Sequence, residues 1–187
     1  VKKYIRKGFM PVVIRSTVAV LGDPQTGKSA LLNTVCGNGG QHALQPTMRP
    51  DVFKKQIKIP GSDCSVDLIL IDCPSHHLSF SLTKKAIAEC QQILVLSSFL
   101  SADSLANMAK WIEMFRDATM IPKVSGVAAI SYAHEDSSQF TFEEAERQAK
   151  SLGLGAVQCN PATGRDCDTP FAMLAHLAHK RFLKNGE

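Results

Sequence analysis

Eight residues near the start of the chain, Gly22-Asp23-Pro24-Gln25-Thr26-Gly27-Lys28-Ser29, limit what the rest can be. Two glycines five apart, followed by Lys-Ser, let a backbone double back and approach an anion closely, with a cation and a hydroxyl beside it. Such a loop works where a buried strand delivers the chain and a helix leaves it, so that loop amides and helix N-terminus converge on one point. Both flanks are present: Val18-Ala-Val-Leu21 is an apolar run of strand length, and Ser29 to Cys36 reads as a helix stopped by Gly37-Asn-Gly-Gly40. At average residue frequencies the four fixed positions recur by chance in about one chain in a hundred or fewer. The motif is a P-loop and predicts a nucleoside triphosphate site. Gly22, Gln25, Thr26, Gly27, Lys28, Ser29 and Ala30 surround the phosphates, Lys28 reaches the outer ones as a point charge, and Ser29 ligates Mg²⁺.

A carboxylate on the metal side is expected at the end of a neighbouring strand. Leu68-Ile-Leu-Ile-Asp72 supplies it, because four apolar residues ending in Asp place that group at the carboxyl edge of a sheet, where α/β ligands bind. Around these two features short apolar runs alternate with longer amphipathic stretches. Asp51–Ile59 and Ser65–Ile71 read as strands joined by the turn Pro60-Gly61-Ser62-Asp63, a hairpin. Ile93–Ser97, Gly126–Ile130 and the shorter Gly155–Gln158 are further strands. Leu105, Met108, Ile112 and Phe115 recur at helical spacing, Thr141-Phe-Glu-Glu144 is a capping box, and Thr169-Pro170 opens a last helix with Phe171, Leu174, Ala175, Ala178 and Phe182 as its apolar stripe. The prediction is an α/β domain with a mostly parallel sheet of about six strands, one antiparallel hairpin strand and helices on both faces.

The 187 residues suffice for one core without staples. No apolar run approaches the roughly 18 residues a membrane span needs. Six scattered cysteines without a CxxC pair fit reduced thiols rather than a disulfide framework or zinc site. The formal charge of +4 gathers at the ends (Lys2, Lys3, Arg6, Lys7; Lys180, Arg181, Lys184), and with two Tyr and one Trp in the chain no basic face interleaved with aromatics points to nucleic acid. Residues 1–14 are expected to form a basic extension, with Met10 a candidate alternative start, ahead of a P-loop domain over 15–187. The Lys184-Asn-Gly-Glu187 end carries no prenylatable cysteine, so no direct lipid anchor is expected.

Over residues 16–183 the order of elements resembles the Ras-superfamily small GTPases. Thr47-Met-Arg-Pro-Asp51-Val-Phe53 sits where a Rab protein has its switch I threonine and Gly-x-Asp-Phe; Ser104 to Trp111 and Glu143 to Leu154 are similar to two Rab helices. Within the superfamily the chain resembles the Rab-like intraflagellar transport protein 27 family, also called Rab-like 4. The likeness rests on Leu21-Gly-Asp-Pro24, Lys58-Ile-Pro60, Ser65-Val-Asp-Leu-Ile-Leu-Ile-Asp72 and Asp166-Cys-Asp-Thr-Pro-Phe171. That resemblance implies GTP or GDP with Mg²⁺ as ligands, Thr47 beside Ser29 and Asp72 at the metal, and a cytoplasmic and ciliary or flagellar location. It also implies a heterodimer with intraflagellar transport protein 25 inside a train complex of coiled-coil subunits.

Four departures from a working GTPase stand out. Pro24 occupies a position that is usually Gly. The switch II pattern Asp-x-x-Gly-Gln reads Asp72-Cys-Pro-Ser75-His76, so His76 replaces the glutamine that orients attacking water. His76 and the adjacent His77 are expected to be solvated rather than catalytic. Where Asn-Lys-x-Asp should read guanine, the chain has Ser131-Tyr132-Ala-His134, and a His cannot accept two ring hydrogen bonds as an Asp does. Cys159-Asn160-Pro161 takes the place of Ser-Ala-Lys, with Asn160 a candidate polar contact. The expectation is an intact phosphate and Mg²⁺ half beside a degenerate base half (Ser131, Tyr132, His134, Asn160). The leading function is a scaffold with little hydrolysis, ahead of a slow cycling GTPase, a pseudo-GTPase that no longer binds nucleotide and a small-substrate kinase.

Overall fold

The computed structural model describes residues 12–37, 47–132 and 138–185. Six strands form one sheet: β1 (Val12–Gly22), β2 (Asp51–Lys58), β3 (Cys64–Asp72), β4 (Gln92–Ser98), β5 (Gly126–Ser131) and β6 (Gly155–Cys159), ordered β2-β3-β1-β4-β5-β6. Only β2 runs antiparallel to its neighbour, in the hairpin with β3. The mostly parallel sheet with one hairpin strand is thus as expected. β1 is longer than Val18–Leu21. Val12, Val13 and Ile14, assigned by sequence to the basic extension, pair with Cys64, Ser65 and Val66, so the domain begins at least three residues earlier. The Pro60–Asp63 turn is closed by Ile59 N–H donating to Cys64 O at 3.0 Å.

Because β1 lies between β3 and β4, Val18, Ala19, Val20 and Leu21 are all fully buried, and their alternation feeds two cores. On one face Val18 and Val20 meet Leu31 and Leu32 of α1 (Lys28–Cys36) and Phe171, Leu174 and Ala178 of α6 (Thr169–Asn185). On the other, Ala19 and Leu21 meet Ile87 of α2 (Phe80–Ile87), Trp111 and Phe115 of α4 (Met108–Thr119), and Ala145 and Ala149 of α5 (Phe142–Ser151). The helical run over Leu105–Phe115 is broken: α3 (Ala102–Ala106) stops at Asn107, from which α4 starts. α5 carries the expected capping box, Thr141 Oγ1 accepting from Glu144 N–H while Glu144 Oε2 accepts from Thr141 N–H. The apolar stripe of α6 ends at Ala178. Phe182, expected in it, is exposed, and beside it Arg181 turns back to donate to Gln91 O and Ser16 Oγ.

Parallel register brings three strand ends to one edge. Val20 pairs with Asp72 and Gly22 with Leu96, so the loop after β1, the end of β3 and the end of β4 are adjacent. The hairpin that sets β3 in place is pinned by Asp67, whose carboxylate accepts from Lys54 Nζ and Gln56 Nε2, each at 2.8 Å. These two hydrogen bonds hold the Asp67 carboxyl below the usual carboxylate range. A group with a lowered folded pKa stabilises the fold above its unfolded value and loses that contribution as pH falls through the folded one. Asp67→Asn is therefore expected to lower the thermal midpoint by a few degrees at neutral pH. Its deficit should close below the ordinary carboxylate range, as midpoints of both proteins across an acid series would show.

Candidate functional site

The loop between β1 and α1 is held open by backbone conformations that most residues avoid. Gly22 has φ +144° and Gly27 φ +88°, and a Cβ on Gly22 would lie 2.3 Å from Leu96 O. Gln25, with φ +62°, is a non-glycine in the left-handed region, a conformation that costs about 1 kcal/mol or more and recurs at ligand-binding loops. Gly27 is the N-cap of α1, so the free amides of Lys28, Ser29 and Ala30 begin the helix at the loop. Thr26 is buried, its hydroxyl donating to Asp23 O at 2.9 Å.

Lys28 is buried under this loop, and its ammonium donates to Gly22 O at 2.9 Å and Asp23 O at 2.7 Å. Burial pushes its pKa down to about 8, against the pull of Asp72 and Asp23. Ser29 Oγ donates to Asp72 Oδ2 at 2.5 Å and lies 2.8 Å from Thr47 Oγ1, which itself lies 3.4 Å from Asp72 Oδ2. Residues from α1, from the segment before β2 and from the end of β3 thus meet in one oxygen cluster. Asp72 is buried, desolvation raises its pKa, and among the described residues its Oδ1 is the buried side-chain oxygen left without a hydrogen-bond partner. Two hydroxyls and a carboxylate with one oxygen orphaned form a hard, oxygen-only donor set, which suits Mg²⁺.

Of the base-side residues, Ser131 Oγ donates to Thr26 O at 2.8 Å, tying the end of β5 to the P-loop. Tyr132 packs partly against the second core. Asn160 is buried, and its Oδ1 accepts from Ala162 N–H and Thr163 N–H at 3.0 and 3.1 Å. The side-chain oxygen of this candidate polar contact is thus bonded within its own loop. His134 lies outside the described residues. His76 and His77 are exposed, and His76 Nδ1 accepts from Leu78 N–H at 3.3 Å, capping a 3-10 turn at His77–Ser79. Sequence reasoning missed a further group at the loop: Asp23 accepts from Trp111 Nε1 and Asn107 Nδ2 at 2.7 and 2.8 Å. The signal available was the chain's sole tryptophan, set four residues after an Asn.

A P-loop on a β2-β3-β1-β4-β5-β6 sheet, with serine, threonine and a strand-end aspartate at the metal position, defines the small-GTPase class of P-loop domain. Residues 17–180 match the Ras family, and the chain belongs to it. Intraflagellar transport protein 27 of Chlamydomonas reinhardtii is 23% identical over 191 residues, covering 97% of this chain and 93% of that protein. Ras-related protein Rab-44 of Mus musculus is 24% identical over 162 residues, 84% of this chain but 16% of its own length, so the chain spans a small part of that relative. A shorter likeness, 40% over 63 residues, links 33% of the chain to 20% of GTPase Era of Borrelia duttonii. The chain is a divergent, Rab-like member of the Ras superfamily.

Proposed function

We propose that this chain binds GTP and GDP with Mg²⁺ as a Rab-like subunit of the intraflagellar transport B complex in cilia or flagella, and acts mainly as a heterodimer scaffold with little hydrolysis. One observation carries the nucleotide half: Ser29, Thr47 and Asp72 converge at the mouth of the P-loop with one buried carboxylate oxygen unpaired. These three would hold the ion, and Gly22, Gln25, Thr26, Gly27, Lys28 and Ala30 the phosphates. The ion would neutralise phosphate charge. Lys28 supplies a second positive charge at the same point, and the amides opening α1 orient the phosphate oxygens.

Low turnover follows from the segment after Asp72. His76 is exposed, engaged in capping its own turn and lacks the amide that positions water, a loss that leaves hydrolysis slow. Weak base discrimination follows from the groups bound into the protein on the other side, the Ser131 hydroxyl and the Asn160 carbonyl. The transport role, with intraflagellar transport protein 25 as partner, coiled-coil subunits of the train beyond it and a cytoplasmic and ciliary location, rests on full-length likeness to a protein of that machinery. Among the described residues no helix is long and apolar enough to cross a membrane.

Titration with fluorescent GTP and ATP analogues, with and without Mg²⁺, tests the nucleotide half. Binding is expected to need Mg²⁺ and to prefer GTP by far less than the roughly 10⁴-fold of a site that hydrogen-bonds its ligand fully. Strong guanine selectivity would overturn the degenerate base site, and no binding of either nucleotide would leave a pseudo-GTPase. Co-expression with intraflagellar transport protein 25 tests the scaffold half, which fails if the two do not co-purify.

A further inference from the structure

Asp23 stands at a crossing of two hydrogen-bond systems. Its side chain faces away from the phosphate loop: Oδ1 accepts from Trp111 Nε1 at 2.7 Å and Oδ2 from Asn107 Nδ2 at 2.8 Å, one donor per oxygen. Its carbonyl faces into the loop and accepts from Lys28 Nζ at 2.7 Å and Thr26 Oγ1 at 2.9 Å. The residue that receives the P-loop lysine is therefore fixed from outside by α4. The break between α3 and α4 serves this arrangement, because Asn107 sits one turn before Trp111 on the same face and both reach one carboxylate. Lys110 Nζ donates to Asn107 Oδ1 at 2.7 Å, which turns the Asn107 NH₂ toward Asp23.

Trp111 also looks the other way. Its ring, itself buried, meets the partly buried Phe80 edge-on, centroids 5.6 Å apart at 77°. Phe80 is the first residue of α2, directly after the 3-10 turn that follows Asp72-Cys-Pro-Ser-His76. One indole thus touches the phosphate loop through its N–H and the segment after the metal-side aspartate through its ring.

We propose that Asp23, Asn107 and Trp111 are positioning residues that set the P-loop for phosphate and relay its occupancy to the Phe80 segment through the Trp111 indole. The proposal rests on nucleotide binding as proposed above. A ligand that engages Lys28 and the loop amides changes the load on the Asp23 carbonyl; the carboxylate, held by two N–H groups, passes that displacement to the indole and so to Phe80. Coupling of this kind needs contiguous contacts with few free rotors, which hydrogen bonds at 2.7–2.8 Å and a packed aromatic pair supply.

Trp111 is the only tryptophan, so its emission reports the relay in the full chain without labelling. Unlabelled GTP with Mg²⁺ is titrated while tryptophan emission is followed, and release of a fluorescent GTP analogue is timed separately. In wild type the emission is expected to change with the same midpoint as analogue binding. Asp23→Asn puts an NH₂ against one of two N–H donors, and Trp111→Phe keeps the ring on Phe80 but removes the indole donor. Each is expected to speed release about tenfold, the loss of one hydrogen bond to a charged group. The double variant should release no faster than Asp23→Asn alone, because both act through one contact. Thermal midpoints of the variants separate this from loss of fold, and Trp111→Phe serves if Asp23→Asn does not fold. Silent emission at saturating nucleotide, unchanged release or additive effects would overturn the relay while leaving nucleotide binding intact. A wild type that binds no analogue would overturn nucleotide binding itself, and the relay with it.

Discussion

Alanine at Gly22 is expected to lower the thermal midpoint by roughly 10 °C, about 3 kcal/mol for a domain of this size, and to abolish nucleotide binding. Two separate penalties meet at this residue. Its φ of +144° lies where only glycine is comfortable, and a Cβ there would stand 2.3 Å from Leu96 O, a backbone atom of the neighbouring strand. Since Gly22 and Leu96 are paired in the sheet, relief requires β1 and β4 to part, and the P-loop leaves from that pairing. Overpacking a rigid site costs about 1–3 kcal/mol, and the backbone penalty adds to it. Gly61→Ala provides the comparison: φ is +74°, but nothing lies within 4 Å of its added Cβ. That variant is expected to lose about 1 kcal/mol, the backbone term alone, with binding unchanged. Calorimetry of the two proteins, with analogue titration, checks both parts. Equal midpoints would mean that the Leu96 contact carries no cost.

The difference between these glycines marks what sequence makes legible here. Gly22 and Gly27, with Lys-Ser behind them, are visible because the chemistry of phosphate dictates residue type and spacing together. Asp72 was equally visible, because a run of buried residues ending in a charge is a strand end at a ligand edge. The start of β1 is less legible: Val12-Val-Ile-Arg15 alternates weakly beside a basic N-terminus, and pairing with β3 decides it. α2 is hard to read because only Thr83 and Ile87 are buried on it, with a partly buried Phe80, amid serines and lysines. Tertiary partners were hidden as well. Nothing local says that Ser131 will turn to Thr26 O, or that Asp23 will bind a tryptophan 88 positions away, since both depend on how strand ends converge.

Asp72→Asn is expected to separate stability from function in one substitution. Asp72 is buried, bears one oxygen without a partner and sits near Asp51, with which it pairs across the hairpin. Desolvation raises its pKa, although Ser29, Lys28 and Thr47 oppose the rise. A group whose folded pKa is raised gives its full stability below the unfolded value and loses it as pH climbs through the folded one. At neutral pH the Asp72 charge is therefore a burden on the protein without ligand, and removing it should stabilise by about 1 kcal/mol, a gain typical of relieving a functional site. The advantage should vanish below the ordinary carboxylate range, where Asp72 is neutral in both states. Asn keeps an oxygen for the Ser29 hydroxyl but offers the ion no charge. Mg²⁺-dependent nucleotide affinity should fall about a hundredfold, the worth of a charged contact made in a buried site. Paired measurements decide it: thermal midpoints without nucleotide across pH, and analogue affinity with and without Mg²⁺. A variant that is less stable at neutral pH would show that the orphaned oxygen costs nothing. One that binds nucleotide as tightly as wild type would remove Asp72 from the metal site, and with it the reason for keeping one buried carboxylate oxygen unpaired.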